Sequence, residues 1–532
     1  LPVLRVDGSP DLLSLANVLR DAHQLTGLAG DVPTQDPPLL RLLLAVLHRA
    51  LDGPGSRADW AALWEADRLP DRPVTAYLDR WRHRFDLFSP TEPFFQVAGL
   101  HTAKGEFRTA ALLVPMAASG NNVPLFDTSL DDGPPVFTPA QAARWLVHAH
   151  AFDTGSAKSA AVGDRQAKNG KSYAAEPALG RVGVVIPVGP TLRETLLLNL
   201  IATGEEGLIR RSPADLPVWE RRPLTPDYVE RRLTGPLDLY TFPARRIRLI
   251  PEQVAGQLAV RQVVLCAGDR VSPRDLATVE PHAGRVRSPT EEKTQPPPVY
   301  VPDRHRVGRQ LWRGMAALLA RAGASAAADA PRHRGPAVLA WLDRLRADDW
   351  LATDYPLGVL AYGVEYGDQS ASVREVILDR LPFPVALLKP GSPAERAALD
   401  AVALADQVAA ALRRLAGQVL RARGGDEASP TPAAAGERFY ASLDAPYRRF
   451  LIVLADAPAQ QLLAAAWRQA LATTALELAD ELLDVPAPAL FTSRSYQRQP
   501  MTAGVAERVF RARLADLLPD TSAGRPDRRE SA

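Results

Sequence analysis

Between Glu395 and Arg423, the positions Val402, Ala405, Ala409, Leu412, Ala416 and Val419 recur at alternating steps of three and four. A helix with 3.6 residues per turn gathers such positions onto one apolar stripe, which must be buried against neighbouring elements. Three more helical patterns follow, at Arg438 to Asp456, Ala459 to Asp484 and Ala503 to Leu518, and Gly424 to Gly436 is loop-like in its Gly, Pro and Ala. Four long helices joined by loops predict an antiparallel four-helix bundle over residues 393–518. The charged, small-residue stretch 519–532 reads as a disordered tail.

Residues 1–392 have a different grain. Leucines at helical spacing mark Pro37 to Leu51, and Trp60 to Trp64 and Ala76 to Phe88 read as amphipathic pieces. A helical run at Pro139 to Ala151 is predicted, followed by a strand at Val182 to Val188 and a helix at Thr191 to Ile201. Arg245 to Ile250 alternates basic and aliphatic residues while Leu258 to Cys266 is rich in valine, which predicts an antiparallel pair with one wet face. The proline-rich stretch Ser288 to Pro302 reads as a link between subregions, and Arg306 to Ala320 and Pro336 to Arg346 as helices. The expected class is therefore α+β: a mixed domain of short helices and antiparallel strands at 1–392, then the bundle.

A chain of 532 residues exceeds what one hydrophobic core serves, in keeping with more than one domain. Its formal net charge of +2 excludes a strongly basic coat, so any nucleic-acid contact must come from local clusters. Cys266 is the only cysteine, which rules out an internal disulfide and a cysteine-only zinc site and points to a reducing, cytoplasmic setting. Apolar stretches such as Leu196 to Ile201 fall far short of the roughly 20 residues that cross a bilayer, and neither a membrane contact nor a signal peptide is expected.

Chemistry concentrates in one short segment. Of six lysines, against 57 arginines, Lys158, Lys168 and Lys171 lie between Gly155 and Ser172. A lysine is a compact charge on a flexible stem, and glycine lets the backbone approach a ligand, so the segment suits a phosphate or a groove floor; it is equally readable as a solvated loop. Gly170-Lys171-Ser172 echoes a phosphate-binding P-loop, but the first glycine of that motif falls on Arg165, and a helix rather than a strand is predicted before the loop. His148, His150 and Asp153 have a metal-like spacing, yet on a helix residues two apart point about 200° apart, which favours ordinary histidines. No His-Glu-x-x-His, Gly-x-Ser-x-Gly or Cys-x-x-Cys occurs, and no acidic pair stands out as a two-metal centre. Neither catalysis, metal nor cofactor is expected.

Several passages carry a resemblance. The opening Leu1-Pro2-Val3-Leu4, Phe85-Asp86-Leu87-Phe88 with Pro93-Phe94-Phe95-Gln96, the run Thr191 to Leu200, and Gly363 to Ser370 occur in an order similar to that of the large subunit (CasA type) of the type I-E CRISPR Cascade complex. The resemblance spans nearly the whole chain. It implies a non-catalytic subunit of an RNA-guided complex that reads the protospacer-adjacent motif (PAM) on double-stranded DNA, while the guide reads the longer target by base pairing. Implied partners are the other Cascade subunits, the guide crRNA, the target duplex and its displaced strand, and a helicase-nuclease that receives the opened DNA.

Three contact elements follow from the resemblance. The family's glycine-rich PAM loop falls on Gly155-Ser156-Ala157-Lys158, where Ala157 and Lys158 replace glycines and Lys158 is placed to reach bases or phosphate. Its wedge falls on Asp368, Gln369 and Ser370, with Gln369 inserting beneath the PAM; Gly367 and Asp368 also suit an ordinary tight turn. Its loop near the guide RNA handle falls on Asn122 and Phe126, where the aromatic either stacks on a base or anchors the loop. Arg270 and Arg274 are both candidates for the family's basic finger, and Lys168 and Lys171 for phosphate contacts. In the bundle, Arg438, Arg448, Arg449, Arg508, Arg511 and Arg513 suit displaced strand, a neighbouring subunit or plain solvent. Two rival readings stay open: a nucleotide-dependent enzyme built on Lys171-Ser172, and a purely structural scaffold.

Overall fold

Thr138-Pro139-Ala140-Gln141 begins a helix by satisfying its first amides. The Thr138 side chain accepts from the Gln141 backbone N–H at 3.3 Å, and the Gln141 side chain accepts from that of Thr138 at 3.0 Å. Pro139 sits where a missing N–H is harmless, and the helix runs to Phe152. The same reciprocal cap, Thr191 with Glu194, opens the helix Leu192–Asn199. In the computed structural model, residues 1–117, 135–205, 207–321, 330–422, 431–454, 460–484, 494–496, 499–519 and 521 are described.

The chain divides into two units. The first comprises Leu1–Val307, Ala320–Trp350 and Gly358–Arg380; the second comprises Gly308–Leu319, Leu351–Leu357 and Leu381–Ala532. In the first, small sheets surround a leucine-rich helix, Asp36–Ala50, whose Leu43, Leu44 and Leu47 are fully buried. The strands Arg245–Val254 and Gln257–Ala267 pair antiparallel, and Arg108–Thr109 joins them. Val184–Val188 pairs antiparallel with Gly358–Tyr366, whose other neighbour is Val373–Pro382. A two-stranded hairpin, Ser156–Ser159 with Lys171–Ala174, follows the helix Pro139–Phe152.

Three expectations need correction here. Arg245 and Arg246 lie on no wet face: both are buried, because each meets a carboxylate, Asp153 and Asp269 respectively. The proline-rich stretch is part of the first unit, where Tyr300–Pro302 pairs with Arg285–Arg287 and Ser288 donates to the Val299 carbonyl at 2.9 Å. Arg306 to Ala320 forms no single helix, only the short turns Leu311–Gly314 and Met315–Leu318 with a positive φ at Gly308.

In the second unit the helices are Pro393–Ala422, Thr431–Val453, Gln460–Leu483 and Ala503–Leu517. The predicted stripe is buried throughout: Val402, Ala405, Ala409, Leu412, Ala416 and Val419 all face inward. Around it lies an aromatic cluster in which Trp312 stacks on Tyr447 at 4.7 Å and meets Trp467 edge-on at 6.3 Å. Two of the polar tips bond the first helix, Trp467 donating to the Ala401 carbonyl at 3.0 Å and Tyr447 to that of Ala398 at 3.1 Å, whereas the Trp312 indole N–H is buried without a partner among the described residues. The tail from 522 to 532 lies outside the described residues. Among the described residues no helix is long and apolar enough to cross a membrane.

Candidate nucleic-acid interface

The hairpin is held at its base by one arginine. Arg245, 1% exposed, pairs through Nε with the Asp153 carboxylate, and its NH2 group donates to the Thr154 carbonyl at 2.8 Å and the Ala175 carbonyl at 3.0 Å. Those carbonyls flank the two strands, so a single guanidinium fixes where the hairpin starts and ends. Lys158 adds to this clamp, its Nζ lying 2.9 Å from Asp153 Oδ2 with a side chain only 13% exposed. Burial pushes the Asp153 carboxyl up, but Lys158 and Arg245 outweigh it and hold it below the usual carboxylate range. The Lys158 ammonium therefore faces the protein, opposite to the direction that a base or phosphate contact requires.

Strand alternation puts the neighbours of Lys158 on the other face. Ala157, Ser159, Lys171 and Tyr173 are exposed, and Ala157 stands across from Tyr173 in the register. Tyr173 is 59% exposed, unusual for so large a ring. Ser156 takes φ 79°, a left-handed backbone that costs a non-glycine residue on the order of 1–2 kcal/mol. At the far end, Lys168 and Lys171 bond each other's backbone at 2.8 and 3.0 Å around Asn169-Gly170, closing a two-residue turn. Lys168 is exposed there. This turn leads into a strand, not a helix, and the Ser172 hydroxyl donates to Asp164. The amide cradle of a P-loop is not formed.

The wedge candidates occupy the turn between Gly358–Tyr366 and Val373–Pro382. Gln369 and Ser370 both have left-handed backbones, at φ 54° and 55°, and Asp368 and Gln369 are exposed. Gly367 donates to the Ser372 carbonyl at 2.9 Å and Tyr366 to that of Phe152 at 2.9 Å. The Ser370 hydroxyl bonds Glu176, which in turn pairs with Arg304 at 2.7 Å. Arg374 reaches Asp368 at 3.6 Å across the hairpin. Two adjacent residues in a sparsely populated conformation persist only where surrounding contacts hold them.

The two elements touch. A methyl group built on Gly155 would lie 2.9 Å from Ser370 Cβ and 3.4 Å from the Ala174 carbonyl oxygen, so the absence of a side chain at Gly155 lets the loop and the wedge turn close on each other. Arg270 is half-buried over the Tyr228 ring, 5.5 Å from its centroid, and Arg274 is exposed and bonded to Gln295. Asn122 and Phe126 lie outside the described residues.

The remaining candidates have structural partners. His148 accepts or donates at Thr34 Oγ1, 2.9 Å away, and His150 receives the Arg245 backbone N–H at 3.3 Å; burial pushes both imidazoles down to about 3. Among the described residues no group of three metal-ligating side chains occurs. Burial pushes the Cys266 thiol up to about 12, which leaves it a poor nucleophile. In the bundle, Arg438 pairs with Glu481, Arg448 with Asp444 and Arg511 with Glu507, whereas Arg449, Arg508 and Arg513 are exposed. Arg304, Glu176 and Tyr173 lie in no recognisable motif, and Asp153, which the sequence places in a metal-like spacing, serves instead as the carboxylate of the clamp.

Comparison with known proteins identifies the family. The family model for the CRISPR-associated protein Cse1 matches residues 1–478. A CasA/Cse1 protein of Thermus thermophilus is 32% identical over 501 residues, covering 90% of this chain and 89% of that protein. The crystal structure of Thermobifida fusca Cse1 superposes with a TM-score of 0.86 at 36% identity, covering 98% and 97% of the two chains. Cse1 from Acidimicrobium ferrooxidans gives a TM-score of 0.83 at 37% identity over the same shares. The chain belongs to the Cse1 (CasA) family of CRISPR-associated proteins and is a large Cascade subunit of the type I-E kind.

Proposed function

We propose that this chain reads the PAM of a target duplex within an RNA-guided Cascade complex and begins strand separation there, without a covalent step of its own. The observation that carries the reading is the seating of Gly155 against Ser370, which joins loop and wedge into one surface. The hairpin face supplies a small residue, Ala157, for a groove floor, an exposed cation, Lys171, for phosphate, and a ring, Tyr173, for sugar or base. Gln369 projects from a strained, bonded turn, and a flat amide inserted beneath a base pair replaces part of the stacking lost on opening, a few kcal/mol per step.

Lys158 has a positioning role in this reading, since its charge is committed to Asp153. Phosphate contact passes to Lys168, Lys171 and the half-exposed Arg304. With so few cations, binding by this subunit has a shallow salt dependence, near −0.9 per neutralised phosphate. The first unit then forms the reading body, with Arg270 or Arg274 as the finger, and contact with the guide crRNA is assigned to Asn122 and Phe126. Residues 393–518 present Arg449, Arg508 and Arg513 to displaced strand or other Cascade subunits, and the opened DNA passes to a helicase-nuclease.

The test uses complexes assembled with and without this chain and duplexes that differ only in the flanking motif. A 2-aminopurine beside the motif reports opening. The chain is expected to confer motif discrimination, and Gln369→Ala to reduce opening more than binding. Equal discrimination without the chain defeats the proposal and leaves a scaffold role.

A further inference from the structure

Away from the hairpin, the first unit encloses a second site. A cavity of about 130 Å3 lies among the strand Leu25–Leu28, the start of the helix Asp36–Ala50 and the strands Val184–Val188 and Gly358–Tyr366. Its walls are mainly aliphatic, with Leu28, Leu40, Ile186 and Leu360 prominent. Into this apolar lining come two polar groups whose bonding is incomplete. The Asp36 carboxylate accepts one backbone N–H, from Gly30 at 2.9 Å, and pairs with no cation among the described residues. An ionised carboxylate has about four acceptor positions, so most of its capacity is unused.

The second group is the Tyr362 hydroxyl. Tyr362 is 3% exposed and lines the cavity, yet its hydroxyl has no hydrogen-bond partner among the described residues. Asp36 is only half-buried and the Tyr362 hydroxyl still reaches solvent, so both groups stay open to water, which a fitting ligand would displace. Burial pushes the Asp36 carboxyl up to about 6, and burial with Asp36 nearby pushes the Tyr362 hydroxyl up. The exposed Arg380 completes the lining and makes no ion pair with Asp36.

The unmet needs define a ligand. A half-buried carboxylate beside apolar walls calls for a cation that donates hydrogen bonds, and a phenol oxygen accepts another from the same centre. The walls call for an unbranched apolar stem. The cavity has room for a short, slender stem of a few heavy atoms. We propose that this cavity binds a primary alkylammonium group on a chain of about four carbons, its nitrogen bonded to Asp36 and Tyr362 and its carbons against Leu40, Ile186 and Leu360. Both a lysine side chain of a partner protein and a free aliphatic amine have this chemistry.

The experiment titrates the full chain with n-butylammonium chloride and with n-butanol, its neutral isostere, by saturation-transfer NMR. The ammonium is expected to bind at least tenfold tighter than the alcohol, Asp36→Asn to remove that preference, and Tyr362→Phe to weaken the ammonium severalfold. Tyr362→Phe keeps the aromatic wall and the helix start, so it serves if Asp36→Asn folds poorly. Equal binding of ammonium and alcohol, parental binding by both variants, or no saturable binding of the ammonium overturns the proposal. Nα-acetyl-lysine methylamide and 1,4-diaminobutane then name the source: binding of the first supports a partner's lysine, of the second a free polyamine.

Discussion

Replacing Asp153 with asparagine removes the negative charge shared by Arg245 and Lys158 while keeping the side chain's shape. Asp153 is 4% exposed and Arg245 1%, so little solvent replaces the lost partner, and an arginine and a lysine are left facing each other across an amide. Removing one member of a buried pair costs about 3–5 kcal/mol. The first unit holds about 360 residues, and at roughly 2.1 cal/mol/K per residue of unfolding entropy that loss lowers its melting point by about 4–7 °C. Lys158→Met is milder, about 1 kcal/mol, because Arg245 still neutralises Asp153. Calorimetry of the full chain resolves both variants. An Asp153→Asn melting point within 1 °C of the parent, or a larger loss in Lys158→Met, refutes the clamp.

Gly155→Ala places a methyl 2.9 Å from Ser370 Cβ, and is expected to cost about 1–3 kcal/mol and to reduce duplex opening in the aminopurine assay. Gln369→Gly relaxes the φ of 54° and is expected to leave stability within about 1 kcal/mol of the parent while opening falls as in Gln369→Ala; retained opening argues against a role for the amide. Trp312→Ala empties the centre of the aromatic cluster and should lower the stability of the second unit by about 3–5 kcal/mol in urea unfolding. Because the folded imidazoles of His148 and His150 take up protons only near pH 3 and the unfolded ones near 6.5, stability is expected to fall as pH drops through that window. Asp36 opposes this between about pH 6 and 4, since its folded carboxyl protonates first. The same change of melting temperature between pH 6.5 and 4 in the parent and in His148→Asn contradicts the histidine contribution.

What the sequence could disclose was set by how local each cause is. The helix starts at Thr138 and Thr191 were legible because the capping partners sit three residues away. The bundle was legible because its buried stripe repeats over 30 residues of one helix. The inward direction of Lys158 is hidden from the sequence because it depends on register and on Asp153, and the burial of Arg245 is hidden because Asp153 lies 92 positions away. Arg304 and Glu176 hold the wedge turn across separations of 128 and 194 residues, and nothing in their own neighbourhoods signals it. The turn itself was readable from Gly367 and Asp368, but its junction with Gly155 required the fold.

Under the proposed function that junction ties two jobs together. A substitution near Gly155 that altered which flanking base pairs are accepted would also tilt the Gln369 turn, so selectivity and melting efficiency are expected to drift together. A lineage seeking a new motif would first have to find changes that leave Ser370 undisturbed.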